Sequence, residues 1–502
     1  MSTNPAMRAR PVSHFLDPMV RWAVLALGLL AGGCMVGPNF QRPAAQAPKA
    51  WLGATTATMA AHAGAPGVEL ERWWRAFKDP ELDALIERGV RSNLDLQLAR
   101  QRILQARAVV GESASGLWPS LDFSGQYQRQ HTRLPEPSTP TPGFQRSTTQ
   151  NFYQAGFDSL WELDLFGGVR RGVEASRADL RASEQSLRDT LVTVCGEIGV
   201  DYLNLRGLQS QLKITRRNLQ TQVHTVEIAR KRHDVGFAAA LDVYNAEAQA
   251  ESTRAQIPAL EASIRQTMYQ LSLLLGEEPG ALLKELSPER PLPAIPMQIP
   301  SGLPSELLQR RPDIRRAEEQ LHAATARIGV AVADLFPKFS LTGATGAQAN
   351  TLTSWNKSVT SSWALGPTVS WNLFSGGLFW NRVKENRALA EQALTTYRQT
   401  VLNAFQEVES AWIAFDRETE RGRSLAIAVD RNRHAVGLSN QLYVEGQTEF
   451  LTVLVAQQAL LATENALAQS RNAAADDLVT VYKALGGGWQ NWPGAIVTPP
   501  HK

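Results

Sequence analysis

The spacing of apolar residues in this 502-residue chain switches repeatedly between a helical period and a period of two. From Asp79-Pro80 onward, Leu82, Leu85, Ile86, Leu94, Leu96 and Ala99 fall mostly at helical spacing. In 119–130 the period drops to two. Leu121, Phe123 and Tyr127 alternate with Ser120, Asp122, Ser124, Gln126 and Gln128. In 151–166, Tyr153, Ala155, Phe157, Trp161, Leu163 and Leu165 share one face, and Gln154, Asp158, Glu162 and Asp164 the other. Side chains alternate across a strand, so each segment predicts a strand with one apolar and one polar face. A long polar stretch, 131–150, joins them. A helical pattern without proline then runs over 169–233. Roughly 65 residues at 1.5 Å each make a rod of about 100 Å, far longer than an ordinary helix.

The whole series then repeats. Strand-like segments return at 337–348 and 363–374, where Trp363, Leu365, Val369, Trp371 and Leu373 alternate with small or polar residues. A second proline-free helical run follows at 379–443. Arg188, Thr190, Glu197 and Gly236 match Arg398, Thr400, Glu407 and Gly446 at an offset of 210. Upstream, Asp95, Ala99, Ala106 and Pro119 match Asp313, Ala317, Ala324 and Pro337 at 218. The chain therefore reads as a tandem duplication with an internal length change. Each half runs helix, strand, strand, long helix, glycine break, helix. The first repeat is expected over 79–285, a linker over 286–302, the second repeat over 303–485 and a tail over 486–502. Helical runs over 242–275 and 303–336, about 34 residues each, would together span one long rod when stacked end to end.

Four strands with an apolar face resemble outer-membrane barrel strands. A barrel in lipid must close, because open edges leave backbone groups unpaired. Four strands are too few to close alone, so the chain should oligomerise. Two copies give an interior that side chains fill; three give twelve strands and room for a channel. The plainer reading is a soluble sheet capping a helical stalk, and the aromatic-rich strands and the N-terminal segment weigh against it.

That segment carries Arg8, Arg10 and Arg21, then the apolar run "WAVLALGLLA", then "GGC" ending at Cys34. A basic region, a short apolar core and small residues form a secretion signal, and the core is too short to span a bilayer. The small residues before Cys34 resemble a bacterial lipoprotein cleavage site, although Ala31 stands where Leu is usual. On that resemblance 1–33 is a signal peptide, Cys34 is the lipid-modified N-terminus and 34–78, rich in Pro, Ala and Gly, is a lipidated tether. Met35 follows the Cys instead of an Asp, which favours the outer membrane. A net charge of +3 implies no strong polyanion partner and thus no nucleic acid. A mean hydropathy of −0.23 excludes a multi-span helical membrane protein. Two cysteines make a disulfide framework improbable, and Cys195 reads as a small buried apolar residue.

The resemblance extends further. "CMVGPNFQRP", "WWRAFKDPELDALI", "NLDLQLARQRILQARA", "LPSELLQRRPDIRRAEEQLHAATARIGVAVADLFPKFSLTG", "WELDLFGGVRRGVEAS" and "WNLFSGG" are similar to the TolC-like outer-membrane efflux factors, in the lipoprotein branch that works with resistance-nodulation-division (RND) pumps. The resemblance implies an α+β membrane protein. Three chains form a 12-stranded outer-membrane β-barrel on a long periplasmic α-helical tunnel. It also implies a homotrimer, embedded in outer-membrane lipid, that meets a periplasmic adaptor and through it an inner-membrane RND-type pump. The function implied is a passive exit duct for small toxic compounds. Alternatives are a duct for protein or peptide secretion and, from another class, a non-conducting helical stalk or surface adhesin.

The same resemblance places adaptor-docking turns at Gly236 and Gly446 and a constriction at Leu451 and Val455, five and nine residues after the second glycine. Many relatives carry acids at the sixth or ninth position, where this chain has Thr452 and Val455. The first-half counterpart keeps one, Asp242. Tyr443 matches a position that bonds across to the neighbouring turn. An apolar ring gates by dewetting, so closure here is expected to be hydrophobic.

Enzymatic chemistry has no foothold in the sequence. The eight histidines are scattered, His224 and His233 do not share a helix face, and no HExxH, Walker loop, GxSxG or dinucleotide fingerprint occurs. No metal or cofactor is implied. In "RRPDIRRAEE", Pro312 fits the first turn of a helix, and Asp313, Glu318 and Glu319 suit its positive end.

Overall fold

The computed structural model describes residues 35–44, 48, 51, 70–133, 147–296, 304–352, 355, 359–490 and 492. The expected signal peptide, Cys34, the middle of the tether and the last residues lie outside the described residues. A 3-10 helix (Leu70–Phe77) precedes α1 (Pro80–Ser92), α2 (Leu94–Ser115), β1 (Ser120–Arg133), β2 (Ser147–Leu163), α3 (Gly168–Asp234) and α4 (Ala240–Arg254). Then come α5 (Gln256–Leu274), α6 (Leu283–Leu286), α7 (Pro304–Arg310), α8 (Pro312–Ala333), β3 (Lys338–Ala349), β4 (Thr360–Ser370), α9 (Leu378–Val444) and α10 (Phe450–Ala484).

The repeat is visible in these bounds. Both α2 and α8 have 22 residues and start 218 apart; both α3 and α9 have 67 and start 210 apart. The length change falls between the two strands of each half, since β1 and β3 still start 218 apart whereas Trp161 on β2 and Trp371 after β4 are already 210 apart. Both expected 34-residue runs are interrupted: 303–336 divides at Arg311, just before Pro312, into α7 and α8, and 242–275 divides at Ala255 into α4 and α5. Pro258 explains the break at Ala255, because it has no N–H and its ring clashes with the carbonyl four residues back. The second copy has no proline there, and α10 runs unbroken for 35 residues.

The chain divides into two compact units. The first comprises Met1–Gln41, Arg107–Asp179 and Leu321–Ala393. Its centre is one antiparallel sheet in the order β1-β2-β3-β4. The register aligns Phe123 with Phe157, Phe157 with Thr345 and Thr345 with Trp363, and it aligns Trp161 with Leu341. The apolar faces expected strand by strand thus merge into one continuous face. Asp122 pairs with Asp158, and Gln126 with Gln154, on the opposite, polar face. Leu121, Phe123, Trp363, Leu365 and Val369 are exposed. In this unit the chain just after Cys34 is strapped down. Val36 N donates to Phe166 O at 3.1 Å, and the buried Arg171 donates to Val36 O at 3.1 Å and to Asn39 Oδ1 at 2.7 Å. Phe40 stacks on His322 with ring centroids 4.4 Å apart.

The second unit comprises Arg42–Ala106, Leu180–Gln320 and Leu394–Lys502 and is helical. Its core is built from Leu82, Leu85, Ile86, Leu187, Ile198, Tyr202, Leu478 and Tyr482, with Cys195 fully buried among them. Burial pushes the Cys195 thiol up to about 12, so it is inert, as expected. The expected tether behaves differently near its end. Trp73, Trp74 and Phe77 are core residues, and Trp73 stacks on Tyr482 with centroids 5.4 Å apart. Two buried arginines tie this unit together. Arg206 donates to Glu81 Oε2 at 2.6 Å and to Pro288 O at 3.0 Å. Arg311, from the "RRPDIRR" stretch, donates to Asp313, Glu407 and Ala484 O at 2.7, 2.8 and 2.9 Å.

Candidate gate and docking tip

The glycine breaks close two helix ends with the same backbone solution. At the end of α3, Phe237 N donates to Arg232 O at 2.7 Å and Gly236 N to His233 O at 2.9 Å. At the end of α9, Gln447 N donates to Leu442 O at 2.8 Å and Gly446 N to Tyr443 O at 3.1 Å. Each is a paired 6→1 and 5→2 closure that satisfies orphan carbonyls and needs a left-handed residue. Gly236 has φ +83° and Gly446 φ +77°. Space is not the constraint at Gly236, since a Cβ there would meet nothing within 4 Å.

Side chains make the two tips different. The first exposes Val235, Phe237, Leu241 and Tyr244. In the second, Phe450 and Val453 turn inward with Tyr443, Val226 and Ala246 into a small core. Leu451 and Val455, one helical turn apart on α10, are 60% and 56% exposed. Neither packs within the protomer, as residues lining a constriction require. Thr452 is exposed and its Oγ1 lies 3.1 Å from Thr448 Oγ1. Asp242 lies in the first turn of α4, half-buried.

The Tyr443 ring is 4% exposed, and its hydroxyl has no hydrogen-bond partner among the described residues. A link from α3 reaches its backbone. Arg232 Nη1 donates to Tyr443 O at 2.7 Å and Val444 O at 2.9 Å, and its guanidinium lies 4.8 Å from the Tyr443 ring centroid. Both are carbonyls of the last turn of α9, where the helix runs out of its own amide donors; Tyr443 O already accepts from Gly446 N, and Arg232 adds a second donor. An arginine from α3 therefore caps α9, where the helix dipole also favours a cation. Burial, and then the nearby Asp242 carboxylate, raise the Tyr443 phenol above its ordinary value, so it stays protonated.

Further along α10, a buried carboxylate joins the helices that carry the tips. Glu464 accepts from Arg217 at 2.7 Å, Asn218 at 2.9 Å and Arg433 at 2.8 Å. Burial opposes its ionisation, but these three donors prevail and hold it below the usual carboxylate range. Neither Arg232 nor Glu464 stood out in the sequence. Arg232 bonds to backbone, which has no residue type to read, and Glu464 looks like any charge on a solvated helix. Among the described residues no group of three or more His, Cys, Asp or Glu is placed to hold a metal ion.

The model of the outer membrane efflux protein family matches residues 85–277 and 303–487. The chain belongs to that family. It is 31% identical over 476 residues to the pyoverdine export outer membrane protein OpmQ of Pseudomonas aeruginosa, covering 94% of this chain and 98% of that protein. It is 30% identical over 472 residues to nodulation protein T of Rhizobium leguminosarum bv. trifolii, covering 93% and 97%. Among solved structures, the outer-membrane channel OprN superposes with a TM-score of 0.82 at 36% identity, over 91% of this chain and all of that one. The open state of the Neisseria gonorrhoeae MtrE channel gives 0.76 at 26% identity, over 91% and 99%. The chain is thus an outer-membrane efflux channel protein, with a TolC-like helical tunnel and four barrel strands per chain.

Proposed function

We propose that three copies of this chain form the passive outer-membrane duct of a tripartite efflux system, docked through a periplasmic adaptor to an RND-type pump. The sheet carries the reading. It has one continuous apolar face, one polar face, and β1 and β4 at its two edges. Such a sheet is stable in lipid only if its edges pair with further copies. Three copies give the twelve strands that leave an aqueous lumen. The duct catalyses nothing; the pump supplies the energy and most of the selectivity. The relatives' names span pyoverdine, solvents and toluene. The cargo of this chain is accordingly a small molecule chosen by its pump. Deletion in cells should raise sensitivity to the pump's substrates, and the purified protein should conduct as a trimer. A monomer without conductance in bilayers would overturn the proposal.

The tips supply gate and docking point. Gly236 and Gly446 shape the turns that meet the adaptor, and exposed Leu451 and Val455 close the tunnel as an apolar ring with Thr452 beside them. Asp242 adds charge near the same level. Conductance of Leu451→Ala and Val455→Ala trimers should rise; unchanged conductance in both would remove the ring from the mechanism. Cys34 is the lipidation site, and the strap over 35–42 holds the residues just after it against the sheet–helix junction. Mass spectrometry of the mature N-terminus tests this: a diacylglyceryl, N-acylated Cys34 is expected, and an unmodified terminus elsewhere refutes it.

A further inference from the structure

The lipid-facing side of β1 changes character along its length. Positions 121, 123 and 127 are Leu, Phe and Tyr, and the next three positions on that face are Arg129, His131 and Arg133. The intervening lumen-facing positions, Gln128, Gln130 and Thr132, are all neutral. Basic residues scattered for solubility would show no such alternation.

The change coincides with the membrane boundary. Tyr127 and Tyr153 are cross-strand partners with ring centroids 4.8 Å apart, and Tyr127 donates to Asn151 Oδ1 at 3.2 Å. At the other end of the sheet Trp161 donates to Leu117 O at 3.0 Å and Trp371 to Leu335 O at 3.2 Å. Aromatic residues mark both interfaces of membrane barrels, which bracket an apolar band about 25 Å tall. Eight residues separate Tyr153 from Trp161. At about 3.4 Å each and a tilt near 45°, they span roughly 20 Å of height. The tyrosines therefore stand at the outer interface, on the end of the sheet away from the helices. Arg129, His131 and Arg133 stand just beyond it, at headgroup level.

Among the described residues no counter-charge stands beside them on this face. On the same face of β2 the partners are Asn151, Thr149 and Ser147. His131 Nδ1 lies 2.8 Å from Thr149 Oγ1. No carboxylate shares this end of the face among the described residues; Asp122 and Asp158 are on the other face.

We propose that Arg129 and Arg133, with His131 between them, bind the phosphate groups of the phosphorylated glycolipid that forms the outer leaflet. Guanidinium groups match phosphate with paired N–H donors. Alternate residues of a strand stand about 7 Å apart, so the site presents two guanidinium groups with an imidazole between them to a headgroup seated against the barrel wall. The proposal rests on the outer-membrane barrel reading.

The test uses the purified trimer with lipid A as probe, in detergent and in phosphatidylcholine vesicles, and counts retained lipid by native mass spectrometry. Dephosphorylated lipid A and inorganic phosphate are the comparison arms. Wild type should retain lipid A over its dephosphorylated form, and Arg129→Gln with Arg133→Gln should lower that retention about tenfold. Arg129→Lys with Arg133→Lys should lose less. Equal retention of both lipid forms, or equal retention by wild type and the Gln variant, overturns the proposal. So does displacement of lipid A by inorganic phosphate alone, which would mark a simple anion site. Bilayer conductance of the same samples separates the two levels of the argument. A wild type that conducts but shows no phosphate preference sinks the lipid site only, whereas one that forms no channel sinks the barrel reading. If the double variant fails to assemble, Arg129→Gln and Arg133→Gln are measured singly.

Discussion

Arg232→Ala should release the tip. In each protomer the substitution removes two hydrogen bonds to α9 carbonyls, from Arg232 Nη1 to Tyr443 O at 2.7 Å and to Val444 O at 2.9 Å, together with a cation above the Tyr443 ring. A hydrogen bond from a charged donor contributes about 1.5–3 kcal/mol. Here one Nη1 serves both acceptors and the side chain is partly exposed, so we take about 1.5–2 kcal/mol per protomer. If the three α9–α10 tips separate from their α3–α4 neighbours together, the closed state loses about 5 kcal/mol, several thousand-fold in the closed-to-open ratio. If they move singly, each step changes by about ten- to thirty-fold. The assay is single-channel recording of purified trimers in planar bilayers. Arg232→Ala should open far more often than wild type, and its dependence on applied voltage distinguishes concerted from stepwise opening. Arg232→Lys should be intermediate, because an ammonium still caps carbonyls but cannot hold the planar contact with the ring. Wild-type gating by a correctly assembled Arg232→Ala trimer would refute the reasoning. So would equal opening by the Lys and Ala variants.

Other consequences are simpler. Gly236→Ala and Gly446→Ala force φ +83° and +77° on a residue with a Cβ, at about 1–2 kcal/mol each. Adaptor crosslinking and efflux should fall while trimer melting barely moves; normal efflux by both would detach the turns from docking. Arg311→Ala strands Asp313 and the Ala484 carbonyl in a largely buried setting. A loss of about 3 kcal/mol is expected, at the lower end for a broken buried pair because Glu407 is half exposed. An unchanged melting temperature would contradict it. Asp201 and Asp476 sit in a seam beside Glu197 and Asp477, and burial first, then neighbouring carboxylates, push them up to about 6 and about 7. The folded state then holds protons that the unfolded chain releases, so stability should fall as pH rises from about 4 through about 7. Asp476→Asn should flatten the melting profile by stabilising the protein at pH 8 more than at pH 5, and a parallel profile would refute the assignment.

What the sequence disclosed follows from which interactions leave a periodic trace. A strand in a membrane barrel must alternate, so the four strands were legible within a few residues of their observed ends. A 67-residue helix must avoid proline, so α3 and α9 were legible too. The break at Ala255 needed one more step, since Pro258 interrupts the helix three residues upstream of itself. Trp73 and Trp74 were assigned to a tether because Ala, Pro and Gly dominate the residues before them. The adjacent aromatic pair was the available sign that the tether had ended in a core. Resemblance alone puts Tyr443 at the tip, and what its type could not disclose is that its carbonyl accepts from Arg232.

The duplication makes the same division within one chain. Both tips keep the glycine and the two backbone hydrogen bonds that close the helix, because turning a rod leaves little choice of backbone. Their side chains have no such constraint. At the offset of 210, Arg232 faces Leu442 in the comparison of copies, His233 faces Tyr443, Asp242 faces Thr452 and Asn245 faces Val455. His233 Nδ1 lies 2.9 Å from Ala238 O within its own turn, whereas the end of α9 is capped by Arg232 from the other copy. One tip is therefore self-contained and the other depends on it. On the proposed reading of the tips, this makes the turn carrying Leu451 and Val455 the one expected to move, and the turn at Gly236, with its exposed Val235, Phe237, Leu241 and Tyr244, the apolar surface expected to meet a partner.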